Sequence, residues 1–193
     1  MTNAQITELA KQYEIGGHTI NHIRLYRQNE ALLRTEVEGS FNWLKELLGY
    51  DPVSFCFPGG IYNGPAVAAV FNSGYKLART TELLSIHYSS DEKLISTTLQ
   101  VYEHSGFTYF KHLVKRSKWI NLVKWLSLNS LDNLVKLSED YLNEVLKKNG
   151  CFHLWGHSWE IEENRLWKKL EEIFKAISNR PDFTYIQNKQ VLG

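Results

Sequence analysis

The sequence predicts an α/β protein, and three observations carry that assignment. Short apolar runs bounded by Gly and Pro alternate with helical patterns of ten residues or more, as parallel βαβ units require. No internal repeat or low-complexity linker divides the chain. At 193 residues, 43% hydrophobic and 22% charged, it is too apolar to be disordered and close to the size of one domain. A single domain over residues 1–193 is therefore expected.

The elements follow in order. A first helix starts at Thr2, with Gln5 three residues on as a capping box requires, and Ile6, Leu9, Ala10 and Tyr13 share a face. A short strand at residues 14–17 leads into a histidine-bearing loop that runs to Gln28. Asn29 caps a long helix with the stripe Leu33, Val37, Phe41, Leu44 and Leu48, and Gly49 ends it. Residues 53–57 form a buried strand closed by Pro58-Gly59-Gly60, and Pro65 suits the first turn of a helix through Phe71. Residues 75–80 and 97–102 read as strands, and residues 108–128 as a helix rich in Lys and Trp. Asp132 caps a helix through Lys148, with Leu134, Leu137, Tyr141, Val145 and Leu146 at helical spacing. A strand at 151–155 follows Gly150. A helix at about 162–177 then buries Leu166, Leu170, Ile173, Phe174 and Ile177, and a strand at 183–187 brings the count to six.

Charge and cysteine usage exclude several classes. A net charge of +1 leaves no broad footprint for nucleic acid or an anionic membrane. The longest uncharged stretch, residues 52–75, is broken by Pro and Gly and interrupted by polar residues, so it does not make the continuous apolar run of roughly 18 residues that a membrane span needs. The residues after Met1 lack the basic start and apolar run of a secretion signal, so a cytoplasmic location is expected. Cys56 and Cys151 are too few for a disulfide framework and read as reduced, partly buried thiols. Residues 107–128 carry Lys111, Lys115, Arg116, Lys118 and Lys124 with Trp119 and Trp125. They are expected first as an amphipathic helix pair with a solvated basic face, the other reading being a contact for nucleic acid or membrane.

The histidines carry more. Seven scattered at random would give about a quarter of an i,i+4 pair, yet two occur, His18/His22 and His153/His157. Imidazoles four apart on a helical turn share a face and can reach one cation, for which Zn²⁺ suits first and Co²⁺ or Ni²⁺ next. An isolated pair of this kind is more often hydrogen-bonded than metal-binding. Here it directly follows a strand and the Glu14-Ile15-Gly16-Gly17 turn, which favours metal. In the second pair, a strand at 151–155 would point His153 and Trp155 to one side and leave His157 on the loop beyond. His157 is then placed as a general acid or base, and His153 reads as a buried, hydrogen-bonded residue. His87, His104 and His112 read as surface or loop packing.

Together these segments resemble the NodB-homology family of polysaccharide deacetylases. The run from Glu14 to His22 is similar to the family's His-Ser/Thr-x-x-His metal motif. Cys56-Phe57-Pro58-Gly59-Gly60 resembles Arg-x-Pro-x-Gly with Cys at the Arg position. Residues 74–81 look like the strand that follows, and His153 to His157 falls where Leu-x-Leu-x-His would stand. The resemblance implies a distorted (β/α) barrel and hydrolysis of an N-acetyl group on a sugar or glycan. It implies a divalent metal held by His18 and His22, and Arg79 in the supporting place of the motif Arg. The backbone N–H of Gly59 would hold the oxyanion, the neighbouring Pro58 and Gly60 shaping its turn. His157 would protonate the departing amine, with Trp155 walling the acetyl pocket. Tyr62 and Trp159 are candidate glycan contacts, whereas Trp43 and Trp167 read as core or rim packing.

One departure stands out. The family opens on Thr-Phe-Asp-Asp, which supplies a metal ligand and the catalytic base, but this sequence holds no Asp before Asp51. An N-terminally incomplete barrel of about six strands is therefore expected, with weakened metal binding and weak water activation. Exposed strand edges and self-association through them are expected as well. Two readings remain open: a deacetylase impaired by that loss, or a non-catalytic glycan-binding or assembly protein on the same scaffold.

Overall fold

The computed structural model describes residues 1–87, 93–128 and 131–192. Helices are α1 (Asn3–Ala10), α2 (Glu30–Leu48), α3 (Gly64–Asn72), α4 (Gly106–Lys115), α5 (Trp119–Leu126), α6 (Leu134–Lys148), α7 (Ser158–Glu163) and α8 (Trp167–Ile177). Strands are β1 (Ser54–Cys56), β2 (Leu77–Arg79), β3 (Leu94–Ile95), β4 (Leu99–Gln100) and β5 (Leu154–Trp155). Every ladder is parallel, which bears out the α/β class. The strands form one sheet in the order β1-β2-β3 and a second of β4-β5, and neither closes into a barrel among the described residues.

The chain divides into two compact units. The first holds described residues 1–81, 93–95 and 185–192, and the second holds 82–87, 96–128 and 131–184. In the first, the capping box at Thr2 and Gln5 forms as expected. Asn29 caps α2 and Gly49 ends it in the left-handed region at φ 76°. The face of α2 that buries Leu33, Val37, Phe41 and Leu44 also buries Glu36 and Ser40. It packs with Phe55, Phe57, Val70 and Tyr75. Burial pushes the Tyr75 phenol up to about 12, against the hydrogen bond it shares with Ser40 at 3.1 Å. The chain's last described turn, residues 188–192, inserts Val191 against Leu77 and Ile95. Gln187 Nε2 donates to the carbonyl of Gln12, and the Lys189 N–H donates to Glu14 at 2.7 Å.

The second unit is helical around β4-β5, with Leu84, Leu99, Tyr109, Leu113, Leu122, Trp125, Leu137 and Tyr141 in one core cluster. Its helix ends differ from expectation. The stretch at 108–128 is two helices, because Ser117 turns left-handed at φ 53° and the Lys118 N–H closes onto Leu113 O. Arg165 at φ 55° likewise separates α7 from α8, with Leu166 N–H on Ile161 O. Asn133, not Asp132, caps α6, and Leu142 is buried while Leu146 stays exposed.

The strand count also changes. The segment at 14–17 contributes one parallel bridge, Gly17 to Phe55, rather than a strand. Residues 183–187 form no strand, and Tyr185 and Ile186 remain exposed. In contrast β3 is an extra strand, too short at two residues to signal itself by periodicity.

His112 ties the second unit to pH. Its Nε2 accepts the Leu83 N–H at 3.3 Å, a role open only to neutral imidazole. Burial first, then Arg116, with His104 and Lys115 adding, pushes it down to about 4, and Glu82 opposes them. The folded value lies below the ordinary 6.5, so stability is whole above that value and drains as pH falls towards 4. Denaturant melts at pH 7 and pH 4.5 should differ by about 2 kcal/mol from this group, allowing for partial solvent screening. His112→Gln, which keeps an acceptor and cannot titrate, should flatten that difference.

Candidate functional site

In the first unit the site begins where the sheet ends. The Gly17 N–H donates to Ser54 O, and Gly17 O accepts from the Cys56 N–H, both at 2.9 Å. His18 is thereby delivered to the C-terminal edge of β1, where parallel sheets place their ligands. Its Nδ1 lies 2.7 Å from the Cys56 carbonyl oxygen. A carbonyl can only accept, so Nδ1 carries the proton and Nε2 the lone pair. The chain then loops rather than turning helically, with Thr19 and His22 left-handed at φ 66° and 55°. The loop still brings the two rings to 4.8 Å between centroids, tilted by 54°.

What holds this loop is Glu36, 2% exposed on α2. Its Oε2 accepts the N–H groups of Ile20 at 3.1 Å and Asn21 at 2.9 Å, and Oε1 accepts from Asn21 Nδ2 at 2.7 Å. Three donors on one buried carboxylate fix the segment between the histidines. A cavity of about 430 Å³ opens beside it, lined by Ile15, His18, Thr19, Ile20, Trp43 and Leu44 among others. The Thr19 hydroxyl is buried without a hydrogen-bond partner among the described residues.

Two imidazoles on one tetrahedral zinc have ring centres roughly 5 Å apart, so the spacing and the tautomer of His18 fit a shared divalent cation. The ligand set does not reach three. Among the described residues no group of three His, Cys, Asp or Glu is placed to hold a metal, and Glu36 is committed to the loop.

The Pro58-Gly59-Gly60 segment is a short 3₁₀ turn in which Gly59 and Gly60 take φ 65° and 63°. At Gly60 a side chain is excluded outright, since a Cβ would stand 1.7 Å from Thr81 Oγ1. Gly59 faces Arg24, whose Nε would be 3.2 Å from a Cβ there. Cys56 and Arg79 are register partners across β1 and β2, so Arg79 neighbours the motif position that Cys56 occupies. Arg79 is buried, and its Nε donates to Asn188 at 2.8 Å. Burial pushes the Cys56 thiol up despite Arg79, which keeps it a thiol rather than a thiolate. Tyr62 stacks on Phe57 at 4.7 Å and is half-buried.

In the second unit His157 follows β5 and caps α7. Its Nδ1 lies 2.6 Å from Glu160 Oε2, which orients the ring and places the other nitrogen outward as donor or acceptor. Glu160 also accepts from Gln100 Nε2 at 3.0 Å, and His104 Nε2 donates to Gln100 Oε1 at 3.1 Å. Burial lowers the His104 pKa, with Glu160 opposing. Trp159 stacks on His157 at 5.7 Å and Trp155 meets its edge at 5.4 Å. The Trp155 indole N–H is buried with no acceptor among the described residues, which an oxygen of a bound molecule would satisfy.

The first unit thus gathers His18, His22, Cys56, Pro58, Gly59, Gly60 and Arg79 at the C-terminal ends of its strands. The second gathers His157, Trp155 and Trp159. Glu36, Glu160 and Gln100 belong to these sites but lie outside every motif of the sequence. Glu160 had a readable signal, an acid three residues after a histidine at a helix start. Glu36 had a fainter one, a carboxylate inside an apolar stripe.

Residues 1–78 match the family described as polysaccharide deacetylase. No curated protein sequence matches the chain. In fold it is similar to a Mycobacterium smegmatis structure described as a polysaccharide deacetylase, at 17% identity, covering 98% of this chain and 65% of that one, TM-score 0.68. A Pseudomonas aeruginosa structure with the same description aligns at 15% identity over 98% and 62%, TM-score 0.57. Puue allantoinase aligns at 14% identity over 98% and 61%, TM-score 0.59. The chain spans less than two thirds of the length of each. The resemblance carried by the motifs is therefore to the polysaccharide deacetylases, a family of hydrolases, matched in sequence over residues 1–78 and in fold over nearly the whole chain.

Proposed function

We propose that residues 1–193 act as one deacetylase-like domain related to the distorted (β/α) barrel of that family, although the two sheets do not close among the described residues. Its substrate would be an acetylated sugar or glycan, from which it hydrolyses the N-acetyl group. The observation that carries this reading is the His18–His22 pair, its rings 4.8 Å apart and His18 fixed by the Cys56 carbonyl. His18 and His22 would hold a divalent metal, Zn²⁺ first, which when bound activates water and polarises the acetyl carbonyl. The Gly59 N–H would receive the developing oxyanion at the Pro58-Gly59-Gly60 turn, with Arg79 supporting that edge. His157 would give its proton to the departing amine while Glu160 holds the ring and offsets the charge of the imidazolium. Trp155 would wall the acetyl pocket, and Trp159 and Tyr62 would offer faces to sugar rings.

A second reading is a non-catalytic glycan-binding or assembly protein on the same scaffold. What favours it is Glu36, the buried carboxylate beside the histidine loop, which is spent on the Ile20 and Asn21 donors rather than offered to a metal.

Acetate release from acetylated chito-oligosaccharides, with Zn²⁺ or Co²⁺ added, separates the two. Turnover that falls about 100-fold or more in His157→Ala supports the enzyme. Glycan binding without turnover supports the second reading. Self-association through strand edges belongs to either and is read by light scattering during gel filtration, where a monomer at all concentrations would count against it.

A further inference from the structure

We propose that α4 and α5 form a face that binds anionic lipid surfaces. Both helices bury one side in the same core cluster, through Tyr109 and Leu113 on α4 and Leu122 and Trp125 on α5. Their opposite sides point away from it. On α5 that outer side is wholly apolar: Trp119, Ile120, Val123 and Leu126, with Ile120 86% and Val123 69% exposed. A helix apolar on both sides has no use for water on either. On α4 the outer strip is Phe107, Phe110, Lys111 and Lys115, with Phe107 72% exposed. The expected solvated basic face is therefore an apolar one edged with lysines.

Charge identifies the occupant. Residues 104–131 contain five cations and no carboxylate, in a chain whose net charge is only +1. Arg116 and Lys118 share Glu82, and Lys124 meets Glu144, whereas Lys111 and Lys115 form no ion pair among the described residues. Two uncompensated cations beside exposed Phe, Trp and Ile suit an interface of anionic headgroups over acyl chains. Trp119 is the residue type that settles at such a boundary. A second copy of the chain is disfavoured, because a two-fold contact would set the lysine strip against itself. Nucleic acid is disfavoured, because Ile120, Val123 and Leu126 offer neither charge nor a stacking plane to a base. The attachment is peripheral, since no helix among the described residues is long and apolar enough to cross a membrane.

Co-sedimentation tests this, using vesicles of equimolar phosphatidylglycerol and phosphatidylcholine against vesicles of phosphatidylcholine alone. The chain should sediment with the anionic vesicles and lose binding as salt rises. Ile120→Glu with Val123→Glu, both outside the core, should lower binding at least about tenfold without moving the thermal transition. Lys111→Gln with Lys115→Gln should lower it roughly tenfold or more on anionic vesicles and flatten the salt dependence. Failure of the native chain to sediment with anionic vesicles would overturn the proposal, as would equal binding by the Ile120/Val123 variant. So would a dimer dissociated by Val123→Glu in a chain that ignores vesicles, or oligonucleotide binding lost in the lysine variant without vesicle binding.

Discussion

Replacing Glu36 with alanine is expected to cost about 3 kcal/mol of stability in urea denaturation, roughly 1 kcal/mol for each hydrogen bond lost. The carboxylate is 2% exposed and accepts three donors, two of them backbone N–H groups of the histidine loop. Alanine removes all three acceptor contacts at once, and the donors, carried by the exposed residues Ile20 and Asn21, are left to water in place of a fixed carboxylate. Glu36→Gln should recover much of the loss, about half or more. Its amide oxygen can take the backbone N–H groups while Asn21 turns its own amide oxygen towards the new NH₂. The site should respond as well as the fold. His18 and His22 flank the residues that Glu36 holds, so zinc titration should show weaker binding in Glu36→Ala and near-native binding in Glu36→Gln. Equal stability of all three proteins would show that the loop is held by something else.

Gly17→Ala is expected to cost about 3 kcal/mol, for a steric rather than an electrostatic reason. A Cβ at Gly17 would stand 2.0 Å from the Tyr75 hydroxyl and 2.5 Å from its ring carbon. Tyr75 cannot step aside, because its ring packs between Phe41 and Phe55 and its hydroxyl meets Ser40. Removing the hydroxyl in Tyr75→Phe should relieve part of the clash and no more, since Cζ remains. A double-mutant cycle on the two positions should therefore show a coupling of about 1 kcal/mol. Additive effects would mean that the backbone, not Tyr75, absorbs the strain.

These two residues show what the sequence can and cannot disclose. Where an element is set by local chemistry it was legible: the Thr2–Gln5 box, the Asn29 cap, the Gly49 stop and the α2 stripe all stand where the pattern puts them. The histidine pair was legible too, and its rings do meet, although a left-handed loop rather than a helical turn brings them together. Helix breaks at Ser117 and Arg165 were hidden, because the residue in the left-handed position carries no glycine signature. β3 was hidden by its brevity. Glu36, Gln100 and Glu160 were hidden because hydrogen-bonding partners distant in sequence are fixed by packing, which no period in a single sequence reports. Tyr185 and Ile186 misled in the other direction, offering strand-like side chains in a segment that does not become a strand.

The closing turn at residues 188–192 has a consequence for how the molecule is made. Gln187 and Lys189 reach back to Gln12 and Glu14 across 175 residues, and Asn188 takes the side chain of Arg79. Contacts so remote along the chain pay their loop-closure entropy last. During synthesis, where the N-terminal part emerges first, the Leu77–Ile95 surface of the first unit stays uncovered until Val191 has been made. Arg79 then acquires its Asn188 partner only after synthesis reaches residue 188. The Arg79 edge of the candidate site is thus completed late in folding, and until then it is an apolar edge open to wrong partners.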